Sequence, residues 1–224
     1  MLLERVEGTD TAPSIPSDAY QDVEKNEEGF RVVIRRAHGS PEASYVLPYA
    51  GEEYAAQTEP NVWMETGDPL VVQMTKEALD GETDALRAAG RIEAYVRDAI
   101  GQKNLSLGFA TAAEAAAQKT GDCTEHAVLA AAMARAAGMP SRVVGGLAYV
   151  ENLMGLEGGF GYHMWAEVYV GQWLPVDAAL GGHDATHLAL VRSDLNASGD
   201  LFEVSAAISQ VFGGVRVRVL ETEP

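Results

Sequence analysis

Gly121-Asp122-Cys123-Thr124-Glu125-His126-Ala127 opens the run GDCTEHAVLAAAMARAAGMPSRVVGGL (121–147), and the reading of that run decides the fold. Asp122 is a suitable N-cap, and Glu125 stands three positions later, the spacing of a capping box. The helical run ends at Ala137. Gly138 suits a left-handed cap, Met139 the apolar contact behind it, and Pro140 the stop. The helix so bounded is small and apolar nearly all round, with Ala127, Ala130, Ala131 and Ala134 beside Val128, Leu129 and Met133, so it should be buried and closely approached by its neighbours. Cys123 falls in its first turn, where unpaired amides and the helix dipole favour a thiolate. A lone cysteine is ordinarily a small buried hydrophobe, so a nucleophilic reading must be supported from downstream.

Downstream, the pattern changes to strands at Arg142–Val150, His163–Val170 and Trp173–Asp177, with a further strand at His187–Arg192, a short helix at Ser205–Phe212 and a last strand at Val215–Leu220. A glycine-rich stretch (Gly155, Gly158, Gly159, Gly161) reads as a connecting loop or a lid beside His163. His163 can bring an imidazole to the helix start, and Asp177 on the next strand can orient it: nucleophile, base and orienter. His163 and Asp177 are an even number of residues apart, so they share a sheet face only if the hairpin loop has an odd number of residues. The three-residue loop Val170-Gly171-Gln172 meets that condition, whereas a two-residue Gly171-Gln172 turn would separate them.

Upstream, residues 1–29 read as a flexible, proline-containing leader or linker. Residues 30–60 read as a peripheral β-hairpin segment, with strands at Phe30–Arg36 and Ala43–Leu47. Residues 61–224 form the expected catalytic domain, with helices at Leu70–Leu79 behind Pro69, at Thr83–Ile100, and at Thr111–Gln118 behind a T-x-x-E start. Helices first and an antiparallel sheet second give an α+β fold. A formal net charge of −17 disfavours nucleic acid and anionic membranes as partners. The single cysteine excludes an internal disulfide. No stretch is apolar enough for a bilayer, and Glu4, Arg5 and Glu7 interrupt any signal-peptide core. A soluble protein is expected, its compartment open, and a piece of a longer chain would look the same.

The run 121–147 and the block HMWAEVYVGQWLPVD (163–177) resemble, in order, the signature of the transglutaminase-like superfamily: Gly-x-Cys at a helix start, an arginine-alanine-glycine helix end with Pro and Arg, then His-x-Trp and Trp-x-Pro-x-Asp. The likeness spans roughly Ala94 to Leu180. It implies a papain-like α+β fold, with N-terminal helices and a buried central helix packed on an antiparallel sheet. It implies a Cys123, His163, Asp177 triad that acts on an amide of a protein or peptide through a thioester, as protease, amidase or acyltransferase; calcium-dependent members carry acidic metal sites outside the matching region, no such loop is read here, and no cofactor or metal is expected. Three rivals stand beside it. One is an inactive binding module of the same fold. The second is a metal protein using Cys123, His126 and one of His163, His183 or His187. The third is another Cys-His-Asp acyltransferase, such as an arylamine acetyltransferase. His126 is read as a structural residue of its helix. His183 and His187 have H-x-x-x-H spacing, but Gly181 and Gly182 weaken a helix there, and both are expected to be dispensable. Trp165 and Trp173 are read as packing. The Cys123 N–H is one natural candidate for an oxyanion donor, and the second is open, with Gln118 and Trp63 as possibilities.

Overall fold

The protein is seen here in a computed structural model that describes residues 2–5, 15–27, 29–103, 109–153, 156–197, 200–211 and 215–221. In chain order the elements are β1 (Leu2–Arg5), β2 (Gln21–Lys25), β3 (Gly29–Ile34), α1 (Pro69–Leu79), α2 (Ala85–Ala99), β4 (Gln102–Lys103), α3 (Ala112–Gln118), β5 (Thr120–Gly121), α4 (Cys123–Ala136), β6 (Ser141–Leu153), β7 (Leu156–Tyr169), β8 (Trp173–Val176), β9 (His187–Ser193), α5 (Asp200–Val211) and β10 (Val215–Arg218).

Capping chemistry sets the helix starts. Asp68 and Asp84 cap α1 and α2 with their carboxylates, and Thr111 with Glu114 closes a capping box on α3. The same device opens α4: Asp122 accepts from the Thr124 N–H at 2.8 Å, and Glu125 accepts from the Asp122 N–H at 2.8 Å. At the other end Gly138 takes φ +77°. The Met139 N–H reaches the Ala134 carbonyl at 2.9 Å and the Gly138 N–H the Arg135 carbonyl at 2.8 Å, the paired bonds of a Schellman cap. Between these caps α4 is buried on every side from Thr124 to Arg135, packed between α1, α2 and α3 on one flank and β6 and β7 on the other. Arg135 lies in that interior and donates to the Glu59, Ser141 and Asp194 carbonyls, which fixes the following chain against the helix end.

The main sheet has strand order β8-β7-β6-β9, all antiparallel neighbours. Alternation along β7 divides its side chains. Met164, Ala166 and Val168 join the core around α4, while Trp165 joins Val144 and Ala189 in a small second cluster. A second sheet, ordered β10-β1-β3-β2, pairs strands from the two ends of the chain. The chain just before and within β2 meets the main sheet through Gln21, whose buried amide donates to the Ala189 carbonyl and accepts from the Ala189 N–H, both at 2.9 Å. Among the described residues no helix is long and apolar enough to cross a membrane.

Several expected elements differ. Phe30–Arg36 yields a strand, but its partners are β2 and β1. The segment Ala43–Leu47 forms no strand and contributes one bridge, Val46 to Asp84. Alternation marks a strand but does not choose its partner. The expected flexible leader 1–29 contains two paired strands, with residues 6–14 outside the described set. The glycine-rich stretch is no open loop. Gly159 and Gly161 sit in register opposite Val150 and Ala148, and a Tyr149–Phe160 ring contact at 5.5 Å lines the hairpin there. Gly155 lies outside the described residues. The helix expected at Ser205–Phe212 begins earlier, at Asp200.

The β7–β8 turn meets the parity condition. Tyr169 pairs with Trp173, which leaves the three-residue loop 170–172, closed by the Val170 N–H on the Gln172 carbonyl at 2.9 Å. Gly171 adopts φ +98°, and a Cβ there would stand 1.9 Å from the Ala43 carbonyl oxygen. Gly171→Ala should therefore lower stability by about 1–3 kcal/mol through backbone strain and overpacking. Urea unfolding checks this: an unchanged midpoint would show that the turn can relax at no cost.

Candidate active site

Three elements carry the predicted residues, of which His163 and Asp177 meet directly. The start of α4 carries Cys123, β7 carries His163, and Asp177 follows β8 directly. The backbone N–H of Met164, the neighbour of His163, is placed to favour an anion at the Cys123 sulfur. His163 Nε2 lies 2.7 Å from Asp177 Oδ2. Parity accounts for that contact: His163 and Asp177 occupy one face because the hairpin loop is odd.

Asp177 is 1% exposed, and its carboxylate is fully occupied. Oδ2 meets both His163 Nε2 at 2.7 Å and His187 Nε2 at 2.9 Å. Oδ1 accepts from the Ala179 and Leu180 N–H groups at 2.9 and 3.1 Å. Burial alone would raise the pKa of this acid, but the bonds and charges of the two histidines outweigh it and hold the carboxyl far below its ordinary range. An ionised carboxylate has no proton to share, so the proton in each N···O contact belongs to the imidazole. His163 is thereby fixed as the Nε2–H tautomer, with Nδ1 a proton acceptor. Glu93 on α2 supports the corner by accepting from the Asp177 N–H at 2.7 Å, and burial, then the nearby Asp177 charge, raise its own carboxyl pKa.

The thiol departs from expectation. Burial pushes the Cys123 pKa up to about 12, and the Asp122, Asp177 and Glu125 carboxylates add to the rise; the Met164 N–H opposes it. The helix terminus does not produce a standing thiolate, because the environment that surrounds the sulfur penalises charge more than the dipole favours it.

The remaining histidines separate clearly. His126 Nδ1 lies 2.6 Å from the Asp122 carbonyl, a bond within the helix cap, as a structural residue would make. His183 and His187 are not on a helix; they precede and begin β9, with ring centroids 4.5 Å apart. Burial, then the neighbouring His187, lower the His183 pKa to about 3. His187 is the residue that sequence reasoning missed: it is a second partner of Asp177, so the expectation that it is dispensable does not fit its place. A local signal for this was lacking, because β9 reaches the site through contacts with distant segments, its pairing with β6 first among them. Among the described residues, His163, Asp177 and His187 form the one trio whose ligand atoms, all within 4.8 Å of one another, have the spacing of a metal site. With Asp177 ionised, both imidazole nitrogens serve as donors to the carboxylate. The metal reading through Cys123 and His126 gains no support from this geometry.

Trp165 stacks on His163 with centroids 5.9 Å apart, buried in its small cluster. Trp173 lies under the Arg142 guanidinium, 4.0 Å from the ring centre, among Tyr54 and Tyr169. Both are packing residues, as the sequence suggests. Gln118 is exposed at the end of α3, and Trp63 is packed against the core.

Residues 72–178 match the Transglutaminase-like superfamily. That span holds Cys123, His163 and Asp177, and the chain contains a transglutaminase-like superfamily domain. A crystal structure from Cytophaga hutchinsonii, of a protein whose name proposes but does not establish a cysteine protease, superposes with a TM-score of 0.56 at 13% identity, over 86% of this chain and 75% of that one. At that identity the likeness shows a shared fold, an α+β papain-like core. No curated protein matches the chain.

Glu125 carries much of the local order around Cys123. It is 2% exposed and accepts from the Asp122 N–H at 2.8 Å and the Ala110 N–H at 3.1 Å. Glu125→Ala should cost about 1–3 kcal/mol for the buried Ala110 N–H left without its acceptor, with a smaller loss at the partly buried Asp122 N–H. Thermal unfolding of the purified variant checks the value. A loss under half a kcal/mol, near the surface norm, would show that water replaces the carboxylate.

Proposed function

We propose that this chain is a cysteine enzyme acting on an amide bond of a protein or peptide, with Cys123 as nucleophile, His163 as general base and acid, and Asp177 as orienter. One observation carries the reading. The ionised Asp177 holds His163 through Nε2 at 2.7 Å and so leaves Nδ1 as the proton acceptor, on the residue adjacent to the amide that favours an anion at the sulfur. Because the thiol is protonated at rest, base assistance is required rather than optional.

In the proposed cycle, Nδ1 takes the thiol proton while sulfur bonds to the carbonyl carbon and the carbonyl electron pair moves onto oxygen. The Cys123 N–H, one of the orphan donors of the first turn of α4, faces the oxyanion. Collapse breaks the C–N bond. The imidazolium returns its proton to the departing ammonia or amine, and a thioester remains. Water, deprotonated by the same imidazole, releases the acid; an amine in its place forms a new amide. The rival reading, an inactive binding module, draws on one feature: the thiol is only partly exposed and its pKa is pushed up to about 12.

A glutamine-containing peptide library with and without a labelled amine separates these readings. Mass spectrometry should detect acylated Cys123 in the native protein and none in Cys123→Ala. Asp177→Asn should lower the rate by roughly 10⁴-fold, because its amide N–H would face the two imidazoles and favour the wrong tautomer, as in serine triads. In His163→Ala the thiol keeps its pKa of about 12, so iodoacetamide labelling should be slow at pH 7 and climb only toward high pH, while the native protein labels faster at pH 7. No acyl-enzyme with any peptide, together with equal labelling of native and His163→Ala protein, would leave the binding module as the reading.

A further inference from the structure

Asp177 Oδ2 is shared by two imidazoles, and the cycle proposed above uses only one. The second, His187, is 3% exposed and is held at both nitrogens. Its Nε2 lies 2.9 Å from Asp177 Oδ2. Its Nδ1 lies 3.3 Å from the Asp184 backbone nitrogen and 3.1 Å from Asp184 Oδ1. Asp184 therefore offers a partner to either protonation state: its N–H donates to the neutral ring, and its carboxylate accepts from the charged ring. His163 and His187 approach with ring centroids 5.6 Å apart. From this geometry we infer that His187 is a positioning residue of the active site. It holds Asp177 in the rotamer that serves His163, and its proton count sets how much of the Asp177 charge His163 receives.

The electrostatic reasoning is direct. When His187 is a cation, it offsets the negative charge of Asp177, and a cationic His163, formed when the thiol proton moves, is stabilised less. When His187 is neutral, Asp177 serves His163 undiluted. Burial lowers the His187 pKa, but the Asp177 and Asp184 bonds and charges outweigh it and hold it above its ordinary 6.5. The cation thus persists to higher pH and is lost as pH rises through that raised value. Among the described residues, other charged or titratable groups stand near the ring. His183 is 4.5 Å away by centroid and kept neutral by burial. Asp18, Tyr20, Glu167 and Arg192 line the same small cavity, where Arg192 is paired with both carboxylates.

The inference rests on the cysteine-enzyme reading, and the test separates the two. The rate of Cys123 alkylation by iodoacetamide is followed from pH 5 to 10 in native protein, His163→Ala, His187→Gln and His187→Phe, with circular dichroism as a fold control. Native protein should accelerate in a distinct step above pH 6.5. Gln keeps an N–H for Asp177 but does not titrate, so His187→Gln should lack that step and stay faster than His187→Phe. Removal of the donor in His187→Phe should slow labelling by roughly 10–100-fold, the loss found when outer partners of metal-bound histidines are removed. If His163→Ala alters the profile while folded His187→Gln and His187→Phe both match native protein, the His187 assignment is overturned and the triad stands. If His163→Ala also matches native protein, the triad reading falls as well. Nitrogen-15 spectra of the native protein test the assignment without any variant. Both rings should be Nε2–H tautomers when neutral; an Nδ1–H tautomer at His187 would overturn it.

Discussion

A carboxylate buried in an α+β core would ordinarily be neutral, because moving an isolated charge out of water costs far more than a fold can supply. Asp177 is ionised because four donors converge on it, two imidazole nitrogens on Oδ2 and two amides on Oδ1. Much of the site follows from that one charge. It fixes the tautomer of His163 and gives His187 a partner. It also adds to the penalty on a thiolate at Cys123. Its position depends on a turn of three residues, since one residue more or fewer would send the side chain to the other face of the sheet.

The thiol shows how competing local and non-local effects are decided by size. A helix N-terminus favours an anion by roughly 0.3–2 kcal/mol. A thiol raised from 9.0 to about 12 disfavours its anion by roughly 4 kcal/mol, at about 1.4 kcal/mol per pH unit. The dipole therefore loses. The alanines that let α4 sit deep in the core bring the sulfur into the same low-dielectric setting. A fold that buries its central helix this completely gives up a standing thiolate, and a base beside the sulfur becomes the means of activation.

What was legible in the sequence was local or motif-borne. Asp122 with Glu125, Thr111 with Glu114, and Gly138 before Met139 announce helix ends because their bonds close within a few residues. His163 and Asp177 were legible because strand parity relates residues across one short loop. The illegible part consists of contacts between distant segments. FRVVIRR reads as a strand, yet its partners are at 2–5 and 21–25 rather than at 43–47. The β1–β10 pairing joins the two ends of the chain. The Cys123 thiol was misjudged for the same reason: capping is written next to the residue, but burial is supplied by the whole fold.

That distinction also bears on what the family core includes. Residues 72–178 contain Cys123, His163 and Asp177, yet the second imidazole on Asp177 comes from β9, outside that span. β9 is held on one side by β6 and contacted by Gln21, whose amide takes both backbone groups of Ala189 two residues beyond His187. Arg192, three residues beyond Ala189 on the strand, is paired with Glu167 on β7 and with Asp18. The segment leading into β2 is therefore the outer support of the strand that carries His187. A mutation at Gln21 leaves two buried backbone groups of Ala189 without their partner, at about 1–3 kcal/mol each, and the disturbance lies one short step along β9 from the carboxylate that orients His163. Geometry at the reacting sulfur thus depends on a part of the chain whose own sequence carries no catalytic motif.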